Sequence, residues 1–479
     1  MSGQTKEKTG WGFLQTGGLK LTEGEPFRLI MRFAIPLFIG SVFQQIYNVV
    51  DSVVVGRFVG AGALAAVGCC GPAYNLILAL VMGLSTAASV LIAQSYGSGN
   101  REQVRRSYAT AAGVILLCGA VLTVVGLIAS RPLLLILGTP ADILDMAASY
   151  LQTICGGILA TCLYNIMSNS LQARGNSTVP LLVLILASLL NVVLDLVFVI
   201  CFGMGVPGVA LATVLSQMFS ALLALVYCSC RIEDYRLKGL RKELSREAAA
   251  EVFRIGLPAA LSSSIVMISA MFMQRVVNSW GSSVTAAYTV GNRTEQIFMC
   301  LSYSIGMAVG TFAGQNEGAE QYGRVKKGMH CGYLINLIYT AVMGTAMYVF
   351  APQVLGIFTN DAHVIAIGVP LVHITAIFSP VLGFVFIFQN FLRNSSDIAP
   401  TIWMSASEIL ARSILSFVFS ALFGFTGIWW ATPVGWTGSM LIGCLRYRSG
   451  RWKQKSIASR QRLAGAGDTC PAAPSDTIV

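Results

Sequence analysis

Four carboxylic acids stand inside long apolar runs of this 479-residue chain, and they carry most of the chemistry it could do. Asp51 lies in YNVVDSVVVG, Asp195 in SLLNVVLDLVFV, Glu295 in GNRTEQ and Glu408 in SASEILARSIL. Asn191 and Asp195 are spaced i and i+4 and share one helix face. A turn at GMGVPG follows Asp195 by about eight residues, or ~12 Å of helix, and Thr213 lies ~8 Å beyond it. Asp51 sits at a comparable distance from the end of its own run. Two carboxylates, an amide and a hydroxyl can therefore meet at one depth. All are oxygen ligands suited to a hard cation such as Na⁺, and two carboxyls can instead share protons. The competing reading is a buried hydrogen-bond network that only fixes packing.

The other two acids each have an arginine close by in sequence. Glu408 and Arg412 are i and i+4, and Arg293 and Glu295 flank Thr294. Structural ion pairing is the default expectation for both, and gating or contact with a cationic substrate is the alternative. Arg275, beside Gln274, has no local partner. The 12 cysteines form no C-x-x-C pair, and His330, His363 and His373 form no cluster, so neither a metal centre nor a bound cofactor is expected. No nucleophile lies beside a base at a usable spacing. Catalytic residues are not expected, and the chain does not read as an enzyme.

The elements that must position these acids are membrane helices. The chain is 55% hydrophobic and only 11% charged, with a mean hydropathy of +0.70, whereas soluble domains carry about 25% charged residues. Its apolar runs do not alternate with polar residues, which excludes an outer-membrane barrel. Twelve spans are expected at 28–56, 64–94, 107–130, 143–171, 178–202, 207–230, 252–279, 284–313, 328–350, 363–392, 398–423 and 428–446. With the N-terminus in the cytoplasm, 27 of the 32 Lys and Arg fall on the cytoplasmic side. That bias places both termini inside. The net charge of +11 orients the protein in its lipid bilayer and implies no nucleic-acid partner. The polar N-terminus carries no cleavable signal, so the first span acts as the insertion signal.

The spans form a repeat. RFAIP, ending at Pro36, matches RIGLP, ending at Pro258; AQSYGSGNREQVRR matches GQNEGAEQYGRVKK; and LQARGNSTVP matches FLRNSSDIAP. Gln94 thereby pairs with Gln315 and Gly97 with Gly318. Six spans per half is an even number, so the repeats share one orientation and are related by an axis along the membrane normal. The expected organisation is a cytoplasmic segment 1–27, an N-lobe 28–230, a linker 231–251, a C-lobe 252–447 and a disordered, basic tail 448–479. Carried across the repeat, Asp51, Asn191 and Asp195 become Met273, Ala411 and Leu415. Packing glue would be expected in both lobes, so its presence in one favours function.

These motifs, in order and spacing across about 28–447, resemble the multidrug and toxic compound extrusion (MATE) transporters of bacteria. The matching stretches are YNVVDSVVVGR, AQSYGSGN, LQARGNSTVP, LNVVLDLVFV with GVPGVALAT, and RTEQ. The resemblance implies an all-α polytopic membrane protein, a V-shaped two-lobed bundle of twelve helices. It implies a monomeric antiporter in the bacterial cytoplasmic membrane that exports small amphipathic, often cationic, compounds in exchange for H⁺ or Na⁺. It also implies a cation site of Asp51, Asn191, Asp195 and Thr213 with Tyr47 beside it, and a hinge at Pro36. The segments PAALSSSIVMISAMF and GFVFIFQNFL lack the acids that some relatives carry in the C-lobe. The alternative function is a flippase of a lipid-linked saccharide or lipid, which shares the architecture.

Overall fold

The computed structural model describes residues 18–235 and 243–455; most of the expected tail, the first 17 residues and part of the linker lie outside the described residues. Among those described, the chain is helical without strands. The N-terminal half contains α1 (Pro26–Val54), α2 (Ala61–Gly97), α3 (Arg101–Ile136), α4 (Ala141–Gly156), α5 (Ile158–Ala173), α6 (Thr178–Leu196) and α7 (Gly205–Arg231). The C-terminal half contains α8 (Arg246–Asn278), α9 (Ser282–Gly318), α10 (Tyr322–Val349), the short α11 (Ala351–Gly356), α12 (Ala362–Asn394), α13 (Ala399–Leu410), α14 (Ser416–Phe423) and α15 (Phe425–Arg448).

Among the described residues, ten helical spans are long and apolar enough to cross a membrane by themselves, and α4 with α5 makes an eleventh, bent by 45° at Gly157. The expected span 143–171 is therefore two helices. At the bend, Gly157 closes α4 and opens α5, and its backbone sits against the Val214 side chain of α7. The expected twelfth span is α15, whose 24 residues reach ~36 Å at 1.5 Å per residue but are less apolar than the other eleven.

Three helices loosen into a π-turn beside an intramembrane polar group. Val55–Val59 follows Asp51, Val197–Cys201 follows Asp195, and Ala411–Leu415 begins just after Glu408 and contains Arg412. Such turns add a residue to the helical repeat and re-aim the side chains around them.

The two halves do not form two independent cores. The start of α1 (Ile30, Phe33, Ala34, Leu37) is buried with residues of α9, α10 and α12, whereas Val55, just past its far end, belongs to the N-terminal core. The start of α8 (Val252, Ile255) joins the N-terminal core, and its far end (Met273, Val276, Val277) joins a C-terminal one. Each half's first helix thus begins on the opposite lobe and ends on its own. Where the lysines and arginines cluster, the last turns of α2 and α9 cross in backbone contact. A side chain at Gly97 would overlap the Gln315 carbonyl, and one at Gly318 would overlap that of Gln94.

The chain past Tyr447 is not all free tail. Trp452 is buried against Phe391 and Tyr322 and stacks on Tyr447, and its indole donates to the Tyr447 carbonyl (3.0 Å).

Candidate functional site

The predicted N-lobe residues come together. Asp195 and Asn191 are on one face of α6, 0% and 1% exposed. Asp51 reaches them from the end of α1, its carboxyl facing that of Asp195 at hydrogen-bonding reach. With its amide turned to satisfy its neighbours, Asn191 donates to Asp195 Oδ2 (3.0 Å) and accepts from the Thr213 backbone N–H (3.2 Å). The Thr213 hydroxyl donates to the Val209 carbonyl (3.1 Å), leaving its lone pairs toward the cluster. Tyr47, one turn before Asp51, faces Asp51, Asp195 and Thr213. Asp51 Oδ1 and Asp195 Oδ1 are buried without a hydrogen-bond partner. No lysine or arginine appears among the groups acting on either acid. Facing carboxyls with unpartnered oxygens need a proton or a cation between them.

Two phenols missed in sequence close this pocket. Tyr150 of α4 faces Asp51 and Tyr47, and Tyr74 of α2 adjoins Tyr47 and Tyr150. Neither stands at a telling spacing from an acid, so only the packing of α2 against α4 and against the turn that ends α1 reveals them.

Below this cluster, a cavity of about 540 Å³ lies between the lobes. Pro36, Gly40, Gln44 and Gln45 line one wall, so α1 borders both cavity and acid cluster. Asn165, Asn169, Gln172 and Gln296 add amides, Met299, Met307 and Phe386 add apolar surface, and Glu295 is the one charged residue in the lining. Pro36 is buried within α1 at the end of that wall farther from Asp51, where it removes an internal hydrogen bond and weakens the helix.

The C-lobe acids are arranged differently from the expected local pairs. Glu295 and Arg293 are two positions apart, and Arg293 is exposed while Glu295 turns inward. Glu295 faces Arg412 and Glu408 instead. Glu408, 5% exposed, faces Arg412 and also Arg393 at the end of α12. Arg412 Nη1 donates to Ser269 Oγ of α8 (3.3 Å). No ion pair closes between these acids and guanidiniums among the described residues. The C-lobe holds two acids and two arginines across three helices. Arg275 is exposed in the last turn of α8, at the end of its span, and takes no part.

Known proteins share this plan. A Bacillus subtilis (strain 168) protein described as the probable multidrug resistance protein YoeA is 29% identical over 91% of this chain and 96% of its own. The probable multidrug resistance protein NorM of Thermotoga maritima is 23% identical over 91% of this chain and 96% of its own. Among solved structures, a MATE protein in complex with MaL6 superposes with a TM-score of 0.84 at 23% identity, covering 95% of this chain and all of that one. A Pyrococcus furiosus transporter of the MOP superfamily, for which reverse polarity of the binding pocket suggests a different function, matches with a TM-score of 0.83 at 24% identity, covering 93% of this chain and 100% of that one. The MatE family profile matches residues 36–197 and 258–430, one segment in each repeat. The two-lobed helical fold and the doubled profile leave one conclusion: the chain belongs to the MatE family of membrane transporters and is not an enzyme.

Proposed function

We propose that this transporter is an antiporter that exports amphipathic cations in exchange for H⁺ or Na⁺ taken up at Asp51 and Asp195. The observation that carries the reading is the pair of facing carboxyls with buried, unpartnered oxygens, set on two helices, α1 and α6, that also wall the interlobe cavity. An incoming cation or proton neutralises the pair, with oxygens of Asn191, Thr213 and Tyr47 completing the coordination of Na⁺. The change is passed along α1 to the cavity wall, whose far end bends at the weak point at Pro36, and substrate is expelled as the lobes 28–230 and 252–447 rock. One charge moving across 100 mV supplies ~2.3 kcal/mol, which with the chemical gradient sustains modest accumulation. Glu295, at the cavity wall, selects for positive charge in the substrate. The cavity lining has no basic residue, which fits a cation and not the anionic headgroup of a lipid-linked saccharide, the ligand a flippase would carry.

The positive-inside bias supports cytoplasmic termini in the bacterial cytoplasmic membrane. We treat the functional unit as the monomer, since one chain supplies both lobes and the cavity between them. The test is efflux of a cationic dye from proteoliposomes under an imposed pH or sodium gradient, for wild type and Asp195→Asn. Efflux driven by one gradient and lost in the variant supports the reading and names the ion. Efflux that survives the substitution overturns it.

A further inference from the structure

The basic end of the molecule holds a structure that the acid cluster and the cavity do not use. Gln94 and Gln315, equivalent across the repeat, are 2% and 0% exposed at the crossing of α2 and α9. Each amide reaches into the opposite half. Gln94 Nε2 donates to the Asn394 carbonyl (2.6 Å) and to Ser396 Oγ (3.2 Å) at the end of α12. Gln315 Nε2 donates to the Ala173 carbonyl (2.7 Å) at the end of α5. Because the glycines at 97 and 318 bring the backbones into contact, these bonds form only while the two helix ends touch.

On one side of the crossing a second element is stitched in. Residues Gly18–Glu25, ahead of α1, run from one half to the other. The Leu19 N–H donates to the Gly175 carbonyl in the N-terminal half (3.2 Å). The Leu21 N–H donates to Gln315 Oε1 (3.0 Å), and the Leu21 carbonyl accepts from Asn316 Nδ2 and Arg324 Nη2 (both 3.1 Å) in the C-terminal half. Arg324 Nη1 also holds the Gly24 carbonyl (2.8 Å). The Leu21 side chain is fully buried in the core that contains the start of α1. Gly175 has a φ of +79°, and a side chain there would overlap the Leu19 carbonyl, so this contact requires glycine. The attachment is unequal: one backbone bond on the N-terminal side, and four bonds and a buried leucine on the other.

We propose that Gly18–Glu25 is a strap which, with the crossed amides of Gln94 and Gln315, clasps this end of the two lobes shut and is unfastened once in every transport cycle. The inference rests on the antiport reading for its cycle, and on the hydrogen bonds for its place. Opening this end must break the Gln94–Asn394, Gln315–Ala173 and Leu19–Gly175 bonds together. The strap then leaves with the C-terminal half, to which Leu21 and Arg324 fix it. Gln315 is the hub, since its one amide holds the strap through Oε1 and the N-terminal half through Nε2. An amide suits that role: it supplies a donor and an acceptor without burying a charge at a contact that must re-form.

Lys20 on the strap and Arg101 at the start of α3 line one cavity of about 350 Å³, which suggests a reversible bridge. In full-length Lys20→Cys/Arg101→Cys, a disulfide-containing bifunctional thiol reagent should stop dye transport. Reductant should restore it, while wild type given the same reagent keeps transporting. Bridged protein that transports at the unbridged rate overturns the clasp. If wild type itself carries no dye under any gradient, the antiport reading is the one that has failed. The clasp is then judged on hydrogen exchange of Gln94→Ala/Gln315→Ala. Several-fold faster exchange in residues 19–22 than in wild type supports it, and unchanged protection overturns it.

Discussion

Each lobe carries two acids well inside its apolar spans, and the two pairs are treated in opposite ways. In the N-lobe, Asp51 and Asp195 face each other with no basic side chain acting on either, and one oxygen of each has no partner. In the C-lobe, Glu295 and Glu408 are accompanied by Arg412, with Arg393 near Glu408. A buried carboxyl with a resident guanidinium has its counter-charge built in; one without must borrow it from solution. A repeat that began as two equal halves has thus placed a borrowed charge in one and a permanent charge in the other. Under the antiport reading, it is the first that responds to an ion gradient.

The contrast can be broken most directly at the acids themselves. Asp51→Asn should abolish gradient-driven dye efflux, whereas Glu408→Gln should leave it within about threefold of wild type, both read as initial rates in proteoliposomes. Equal losses in the two variants would erase the distinction between the lobes. Glu295→Gln should weaken binding of a quaternary ammonium dye roughly tenfold, about 1.4 kcal/mol, and leave an uncharged amphipathic ligand unaffected. Fluorescence titration of the purified protein separates the two.

Stability sharpens the same comparison. Arg412→Gln strips the C-lobe acids of a resident cation and should cost about 1–3 kcal/mol, seen as a lowered Tm in detergent. Glu408→Gln combined with it should recover part of that loss, because the uncompensated charge is removed. The smallest effect concerns the link between the regions. Pro36→Ala should slow turnover about threefold while sodium or proton binding to the N-lobe stays intact. An N-lobe whose cation affinity collapses in that variant would show Pro36 acting on the site's shape and not on the bending of the cavity wall.

Much of this was legible in the residue order. The apolar runs, the doubled motifs and the i, i+4 spacing of Asn191 and Asp195 led to the helices, the repeat and half of the N-lobe cluster, because each is a property of one helix or of equivalent ones. What was hidden depends on which helices become neighbours. Arg293 is adjacent to Glu295 in the chain and faces away from it, while Arg412 is far away in the chain and faces it. Arg393 counts as a loop cation by position, yet its guanidinium turns toward Glu408. Tyr150 reaches Asp51, and Tyr74 reaches Tyr47, from helices whose packing no spacing reveals. The bend at Gly157 was invisible because α4 and α5 together keep the length and hydropathy of one ordinary span. The strap was passed over as a polar leader. Its bonds are mostly to backbone groups, which any sequence offers.

The exchange of first helices bears on how the chain is made. The core of the N-terminal half includes Val252 and Ile255 of α8, and the longest shared face of α2 is the one it presents to α8. While the ribosome is still short of α8, the first six spans lack the part of their interior that α8 supplies, over the face of α2. The earliest state at which either half can close is therefore late in synthesis, after α8 and α9 have entered the bilayer and α1 has found its place beside α9. The two lobes mature as one unit, and an insertion fault in α8 is felt first in the half that was already translated.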